Sequence, residues 1–389
     1  MAPLLLFPPA MHWPGLSVER VRPSRFVPPF CPWPECGAHL TRGKGFNRYG
    51  FFRKRGGVVR VPRYLCRDCR RTCSRQTFST TYYLKRPELQ VRIAKGLVAS
   101  SAHRQIARSE GCAKTTVTRQ AERLGRHAIL FHFRVRRAGP PLDEGIVHDH
   151  FETFVGRQDQ ALGVGTAVGA RSWWVYDIDP APHRGTGRRP DRKKDAQAKS
   201  GPSRAYVQSI RRTISGLIRM IPVPEKLVIR CDGRLDYRAA LKDPELAARV
   251  ELRVFPNPDR GPKDSPRSPE AIERDVAMWH VDAAHQLIRH THADHKRETI
   301  AQGRRLESIL GRLHLFAVWK NFIKRRTERR PDRSTPAMRR GITDQPWMWE
   351  RLLAKRLFPS REALTEVALQ LYGKTWTRKH PPLRLRYAG

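Results

Sequence analysis

Two sets of residues in this chain have types and spacings suited to chemistry. The first is Cys31-Pro-Trp-Pro-Glu-Cys36 together with Cys66-Arg-Asp-Cys69, two short cysteine knuckles separated in sequence. Four thiolates gathered by two tight turns make a closed tetrahedral shell for a structural zinc ion, with no open position left for catalysis. Cys73 lies just beyond and competes as a ligand. The chain has seven cysteines, an odd number, and five of them fall between Cys31 and Cys73. In a reducing compartment that crowding favours metal over disulfides.

The second set is three spaced carboxylates, Asp149, Asp232 and Glu298. Three carboxylates can hold two divalent ions about 3.5–4 Å apart, one activating an attacking oxygen and the other stabilising the leaving 3′ oxygen of an in-line displacement at phosphorus. Hard oxygen ligands suit Mg²⁺ or Mn²⁺. His295, three residues before Glu298, would orient a water, a ligand or the phosphate. The plainer alternatives are a turn aspartate at 232 and a surface histidine in a His-rich stretch (280, 285, 290, 292, 295).

These groups need elements to position them. Leu227-Val228-Ile229 reads as a buried strand, and Gly233 punctuates its exit, which leaves Asp232 at the strand's C-terminal lip. Ile146–Val155 reads as a strand with Val147, Asp149, Phe151, Thr153 and Val155 on one face and His148, His150 and Glu152 on the other. A carboxylate between Val147 and Phe151 is costly unless it is paired or holds a cation. For Glu298 the expectation is a helix running unbroken from His295 to about Lys324, striped by Leu306, Ile309, Leu310, Leu313, Phe316 and Ala317. At about 100° per residue this points Glu298 inward and Glu307 outward; Gly303 is the place where that helix could break.

Around them, strands are expected at Ala161–Val168 and Ser172–Ile178, with Asp177 and Asp179 as turn or surface acids. An amphipathic helix is expected at Ala205–Ile221, a strand at Val250–Phe255, and a helix opening at Ser268-Pro269. The order β-β-β-α-β-α-β is α/β and has the layout of an RNase H-like mixed-sheet core: three antiparallel strands, a helix, then strands added in parallel. Residues 180–204 form a polar loop with eight basic residues, a solvated arm suited to DNA backbone.

Ahead of this core (142–330) the chain divides into a Pro- and Arg-rich leader (1–30), a zinc ribbon (31–80) and a helix-turn-helix domain (87–133). In the ribbon, Val58–Tyr64 alternates like a strand, and Arg53, Arg60, Arg63, Arg67, Arg70, Arg71 and Arg75 suit phosphate contacts. In the helical domain, Ala107, Gly111 and Val117 supply the small residue, turn glycine and buried branched residue of the motif, supported by Ile106 and Leu124. Its second helix, Thr115–Arg126, would offer Thr115, Thr116, Thr118, Arg119, Gln120 and Arg123 to a major groove. Arg134–Pro141 reads as a basic linker, and 331–389 as a C-terminal helical packing extension without chemistry.

Across 389 residues, 76 Lys and Arg stand against 36 Asp and Glu, a formal charge of +40. A compact fold with that imbalance repels itself, so a polyanionic partner is expected, double-stranded DNA first among them. No apolar run approaches the roughly 18–20 residues of a spanning helix, so membrane is excluded as the polyanion on this count. Leu4–Phe7, without a basic region before it, makes a poor signal peptide. Placement in the cytoplasm, associated with the nucleoid, follows as the expectation.

Three stretches carry a family resemblance: the ribbon end Tyr64-Leu-Cys-Arg-Asp-Cys-Arg-Arg-Thr72, the helix-turn-helix, and a core with Asp149, Asp232 and His295-Lys-Arg-Glu298-Thr-Ile300. Over roughly residues 31–340 the chain resembles a bacterial insertion-sequence transposase of the Asp-Asp-Glu type with an N-terminal zinc-binding domain. The resemblance implies recognition of terminal inverted repeats, strand cleavage, strand transfer by the freed 3′ hydroxyl, and work as a homo-oligomer on paired ends. Two other classes share parts of the pattern: a non-catalytic zinc-ribbon and helix-turn-helix regulator, and an RNase H-like nuclease that cuts without joining.

Overall fold

A computed structural model describes residues 26–53, 60–183, 201–258, 265–296, 299–327 and 332–376. The chain divides into two compact units, with the boundary at Thr77/Phe78.

The first unit carries an antiparallel sheet, β1 (Phe46–Arg53), β2 (Arg60–Cys66) and β3 (Thr72–Ser74), in that spatial order. The alternating stretch expected at Val58–Tyr64 falls on β2, which continues to Cys66; residues 54–59 lie outside the described residues. β1 escaped the sequence reading because nearly every position on it is exposed, so no apolar alternation marks it. The buried cluster here is small: Cys31, Cys36, Ala38 and Cys66, with Phe46 and Cys69 against them. So little apolar surface does not hold a fold by itself, and such units need a metal or a cross-link.

The second unit begins with three helices, α1 (Leu89–Leu97), α2 (His103–Ser109) and α3 (Lys114–Ala138). Gly111 between α2 and α3 has φ 55°, the left-handed turn a glycine adopts without a Cβ penalty, while Ala107, Ile106, Val117 and Leu124 are buried as the motif requires. α3 runs on to Ala138, so the first part of the expected linker at 134–141 is helix.

Then follows a five-stranded sheet of order β6-β5-β4-β7-β8. Its strands are β4 (Ile146–Val155), β5 (Arg157–Gly169), β6 (Val175–Pro182), β7 (Leu227–Cys231) and β8 (Val250–Val254). β4, β5 and β6 form an antiparallel meander, and β7 and β8 are added in parallel on the free edge of β4. Between β6 and β7, α4 (Arg204–Ile218) buries Tyr206, Ile210, Ile214 and Leu217, one helical stripe, against one sheet face. Two short helices, α5 (Leu235–Ala240) and α6 (Pro244–Ala248), separate β7 from β8.

The other face is covered by α7 (Pro269–Thr291) and α8 (Leu306–Phe322). Ser268 caps α7, its hydroxyl accepting from Ala271 N at 3.2 Å, with Pro269 at the first position, as expected. The long helix expected from His295 to Lys324 does not form. The chain leaves α7 after Thr291 and re-enters a helix only at Leu306. Gly303 sits in this connection where a Cβ would lie 2.4 Å from Ile309 Cγ1, so the loop presses onto the first turn of α8. The expected stripe of α8 is buried throughout, but so are Leu315, Val318 and Phe322 on its other sides, because α8 lies between the sheet and α3. α3 and α8 cross at Gly125 and Gly311, where a Cβ on Gly125 would meet Gly311 Cα at 2.9 Å.

Asp177 and Asp179, expected as turn or surface acids, are instead buried on β6. Asp177 pairs with Arg136 at 3.0 Å, and Asp179 accepts Arg212 Nη2 at 2.6 Å and Nε at 2.9 Å. The C-terminal stretch adds α9 (Pro336–Arg339), α10 (Trp349–Leu352) and α11 (Glu366–Gly373). Trp347 packs against Phe131 of α3 and Phe322 of α8. No helix among the described residues is long and apolar enough to cross a membrane.

Candidate functional site

In the first unit the four knuckle cysteines converge. Their Sγ atoms all lie within 4.8 Å of one another, the one such group of metal-ligating side chains among the described residues. A tetrahedral ion with bonds of about 2.3 Å to sulfur requires sulfurs about 3.8 Å apart; Cys31–Cys69 is 3.6 Å and Cys36–Cys66 is 3.9 Å. The donor set therefore fits a four-thiolate metal site. Burial pushes the Cys31 thiol well above its ordinary range, a penalty that a bound cation removes by stabilising the thiolate. Cys73 is outside the group. It pairs across to Tyr64 from β3, and burial, then the Cys66 and Cys69 charges, push its thiol up to about 12.

In the second unit the central feature is the junction of β4 and β7. Their parallel pairing sets Ile146 beside Ile229 and Val147 beside Arg230. Continued two residues past this pairing, the same register would set Asp149 level with Asp232, one residue beyond the end of β7, and the Asp232 charge acts on Asp149. Ladder pairing between the two strands ends at Val147 and Arg230, and the carboxylates occupy the lip beyond it, at the carboxyl end of the parallel strands where open α/β sheets bind ligands. Asp149 points to the α7 side, shared with Val147 and Phe151, as the alternation of β4 predicts; His148 and His150 point the other way, against Tyr237 and Ser209.

Both acids are largely withdrawn from water, Asp232 to 9% exposure. Burial, reinforced by the Asp232 charge, pushes the Asp149 carboxyl up to about 7; burial raises Asp232 as well. Each has one backbone donor: His150 N to Asp149 Oδ1 at 2.7 Å, and Arg234 N to Asp232 Oδ1 at 3.2 Å. Two neighbouring carboxyls whose ionisation burial opposes, one of them further opposed by the other's charge, have the chemistry of a cation site, since a divalent ion reverses that cost.

α7 contributes groups the sequence reading missed. His285 places Nδ1 3.8 Å from Asp149 Oδ2, and its ring lies against Phe151. Asp282, one turn earlier, bears on Asp149 and is held in an ion pair with Arg274, which in turn favours the charged form of Asp232. The signal was present as Asp282-Ala-Ala-His285, an i, i+3 pair on a helix capped by Ser268-Pro269, but the His-rich composition of the region concealed it.

His295 lies in the turn after α7. It is buried to 2% exposure, with Nδ1 3.2 Å from Thr153 Oγ1, its ring on Phe151, and Nε2 3.5 Å from Asp294, which Arg312 pairs at 2.7 Å. It fastens this turn to β4. Glu298 lies outside the described residues, and the helix expected to aim it inward is absent from the residues described on either side of it.

On the helix-turn-helix, Thr115 and Arg119 are exposed, and Thr116, Thr118 and Arg123 are half-buried. Gln120 is not on the reading face: it is buried, and its amide donates to Arg86 O at 3.3 Å. Helical phase explains this, since residue 120 follows Val117 by three and shares its inward side.

Compared with known proteins, the sequence matches no family model and no curated protein.

Proposed function

We propose that the chain is a DNA transposase of the Asp-Asp-Glu type, binding the ends of a mobile DNA element and cutting and joining its strands. The observation that carries this reading is the register that brings Asp149 and Asp232 level at adjacent parallel strand ends. It is supported by the order β6-β5-β4-β7-β8, an antiparallel meander extended in parallel, which is the layout of an RNase H-like core. In this reading the four-cysteine shell holds zinc and keeps the ribbon folded. Asp149, Asp232 and Glu298 hold Mg²⁺ or Mn²⁺, which would supply activation of the attacking oxygen and stabilisation of the leaving 3′ oxygen. Asp149 and Asp232 orient their carboxylates through the His150 and Arg234 backbone donors. His295 is a positioning residue, fixing the turn that leads to Glu298 against Thr153. Thr115, Thr116, Thr118, Arg119 and Arg123 face the DNA.

The test uses labelled DNA carrying the repeats that flank the gene, with Mg²⁺. Joined products are expected; cut products alone would indicate a nuclease, and neither would indicate a regulator. Asp232→Asn should lower cleavage by about a hundredfold or more, the several kcal/mol of charge stabilisation that a metal ion supplies, with end binding intact. Equal loss of cleavage and binding would remove Asp232 from the chemistry.

A further inference from the structure

α3 carries one acid, Glu122, against seven Lys and Arg, and Glu122 is held by Lys374 of the segment after α11. At about 100° per residue, Thr115, Arg119, Arg123 and Arg126 fall within a wedge of about 80°, so the exposed tip of the helix continues into a basic stripe. Among the described residues Arg123 and Arg126 form no ion pair. Arg123 is half-buried; burial, then the charges of Arg356 and Arg126, hold its guanidinium below the usual arginine range.

Arg356 comes from the C-terminal stretch that the sequence reading left without chemistry. It lies in the chain after α10, which His127 of α3 holds through Leu352 O at 3.1 Å and Thr80 through Leu353 O at 2.6 Å. Aromatic rings carry the cations: Arg356 stacks 5.0 Å from Tyr82 and 4.8 Å from Phe358, and Arg126 lies 5.7 Å from Tyr372. Beside Tyr82, Tyr83 is held at φ 60° with its side chain in solvent, 84% exposed.

Arg126 and Arg356 sit on aromatic rings, Arg123 feels the charge of both, and the helix's acid is engaged by Lys374, so Arg123 and Arg126 concentrate positive charge that an anion would stabilise. Distance decides which anion. Arg126 is eleven residues from Thr115, roughly 16 Å along the helix, whereas the major groove is about 12 Å wide. With the tip of α3 in the groove, Arg126 and its neighbours lie past the groove wall, level with the phosphates.

We propose that Arg123, Arg126 and Arg356 form a clamp for the sugar-phosphate backbone of duplex DNA, so that the C-terminal segment takes part in DNA binding. The proposal rests on the DNA-binding reading of α3 and is independent of the catalytic one. It is tested by measuring affinity of the full chain for an unrelated duplex across salt concentrations. Three lost phosphate contacts at about 0.9 each predict that Arg123→Gln/Arg126→Gln/Arg356→Gln lowers the log–log salt slope by about 2.7, and the exposed Arg126→Gln alone by about 0.9. The corresponding lysine variants should retain the slope. An unchanged slope in either glutamine variant overturns the clamp, as does an equal fall in the lysine variants, which would mark lost packing. The same titration on repeat-bearing DNA separates the two levels: a wild type without preference for the repeats counts against the transposase reading, while the slope comparison still decides the clamp.

Discussion

The four cysteines and the two aspartates meet the same problem in opposite ways. In the ribbon, thiols are withdrawn from water at sulfur separations of 3.6 and 3.9 Å, spacings that an ion relieves and that packing alone does not call for. Replacing Cys66 by Ser leaves three ligands around a cluster that supplies most of the unit's buried contact. Cys66→Ser should therefore lose bound zinc and melt the ribbon, while Cys73→Ser, outside the group, should keep both. Metal content per chain and the circular dichroism of the two variants check this; zinc retained by Cys66→Ser would refute the four-thiolate site. At the sheet, burial opposes the ionisation of Asp149 and Asp232 at the end of a parallel pair, and the Asp232 charge adds to the cost at Asp149. The spacing of Asp149 and Asp232 in sequence says nothing of this proximity, which comes from the β4–β7 register. The four cysteines were legible because two short knuckles are local signals. Asp282 and His285 were not, since nothing local says which side of α7 meets β4.

At the scale of elements, the strands and helices with a one-sided apolar pattern were legible: β4 and α4 lie close to where their periodicity put them, and α7 opens at its Ser-Pro signal. Elements whose environment is not one-sided were not. β1 is exposed on both faces and shows no period, and the stripe of α8 marked one buried face but not the burial of its other sides. The helix expected across 295–324 failed at the same point, since a stripe says which face is buried but not where the backbone stops being helical. The contact between α3 and α8 is likewise tertiary, with Gly125 and Gly311 allowing the two backbones to meet. Gly125→Val should cost about 2–3 kcal/mol by forcing the crossing apart, measured as a shift in the denaturant midpoint. A change below about 0.5 kcal/mol would mean that α3 is not seated on α8 through these glycines.

For the whole molecule, the charge of +40 governs behaviour more than any single contact. Self-repulsion between unpaired cations opposes compaction and weakens as salt screens it, with a Debye length of about 30 Å at 0.01 M and about 8 Å at 0.15 M. The melting midpoint should accordingly rise with sodium chloride over this range, and rise further at low salt when duplex DNA is added. Calorimetry at several salt concentrations checks this, and a midpoint that falls with salt would mean that surface ion pairs outweigh the repulsion. The basic residues of 184–200 belong to the same charge balance and lie outside the described residues.

The sequence by itself determined the composition-level properties and the locally encoded ones: a strongly basic chain, two cysteine knuckles, a helix-turn-helix with its turn glycine, and the succession of strands and helices in the core. Each depends on residues within a few positions of one another or on a simple sum. Only the tertiary structure decided that Asp149 stands level with Asp232, that Asp177 and Asp179 are buried ion pairs, that Gln120 faces inward, and that Arg356 joins α3. In each of these cases the partners are distant in sequence, and strand register and helix packing, set by the burial of whole faces, bring them together.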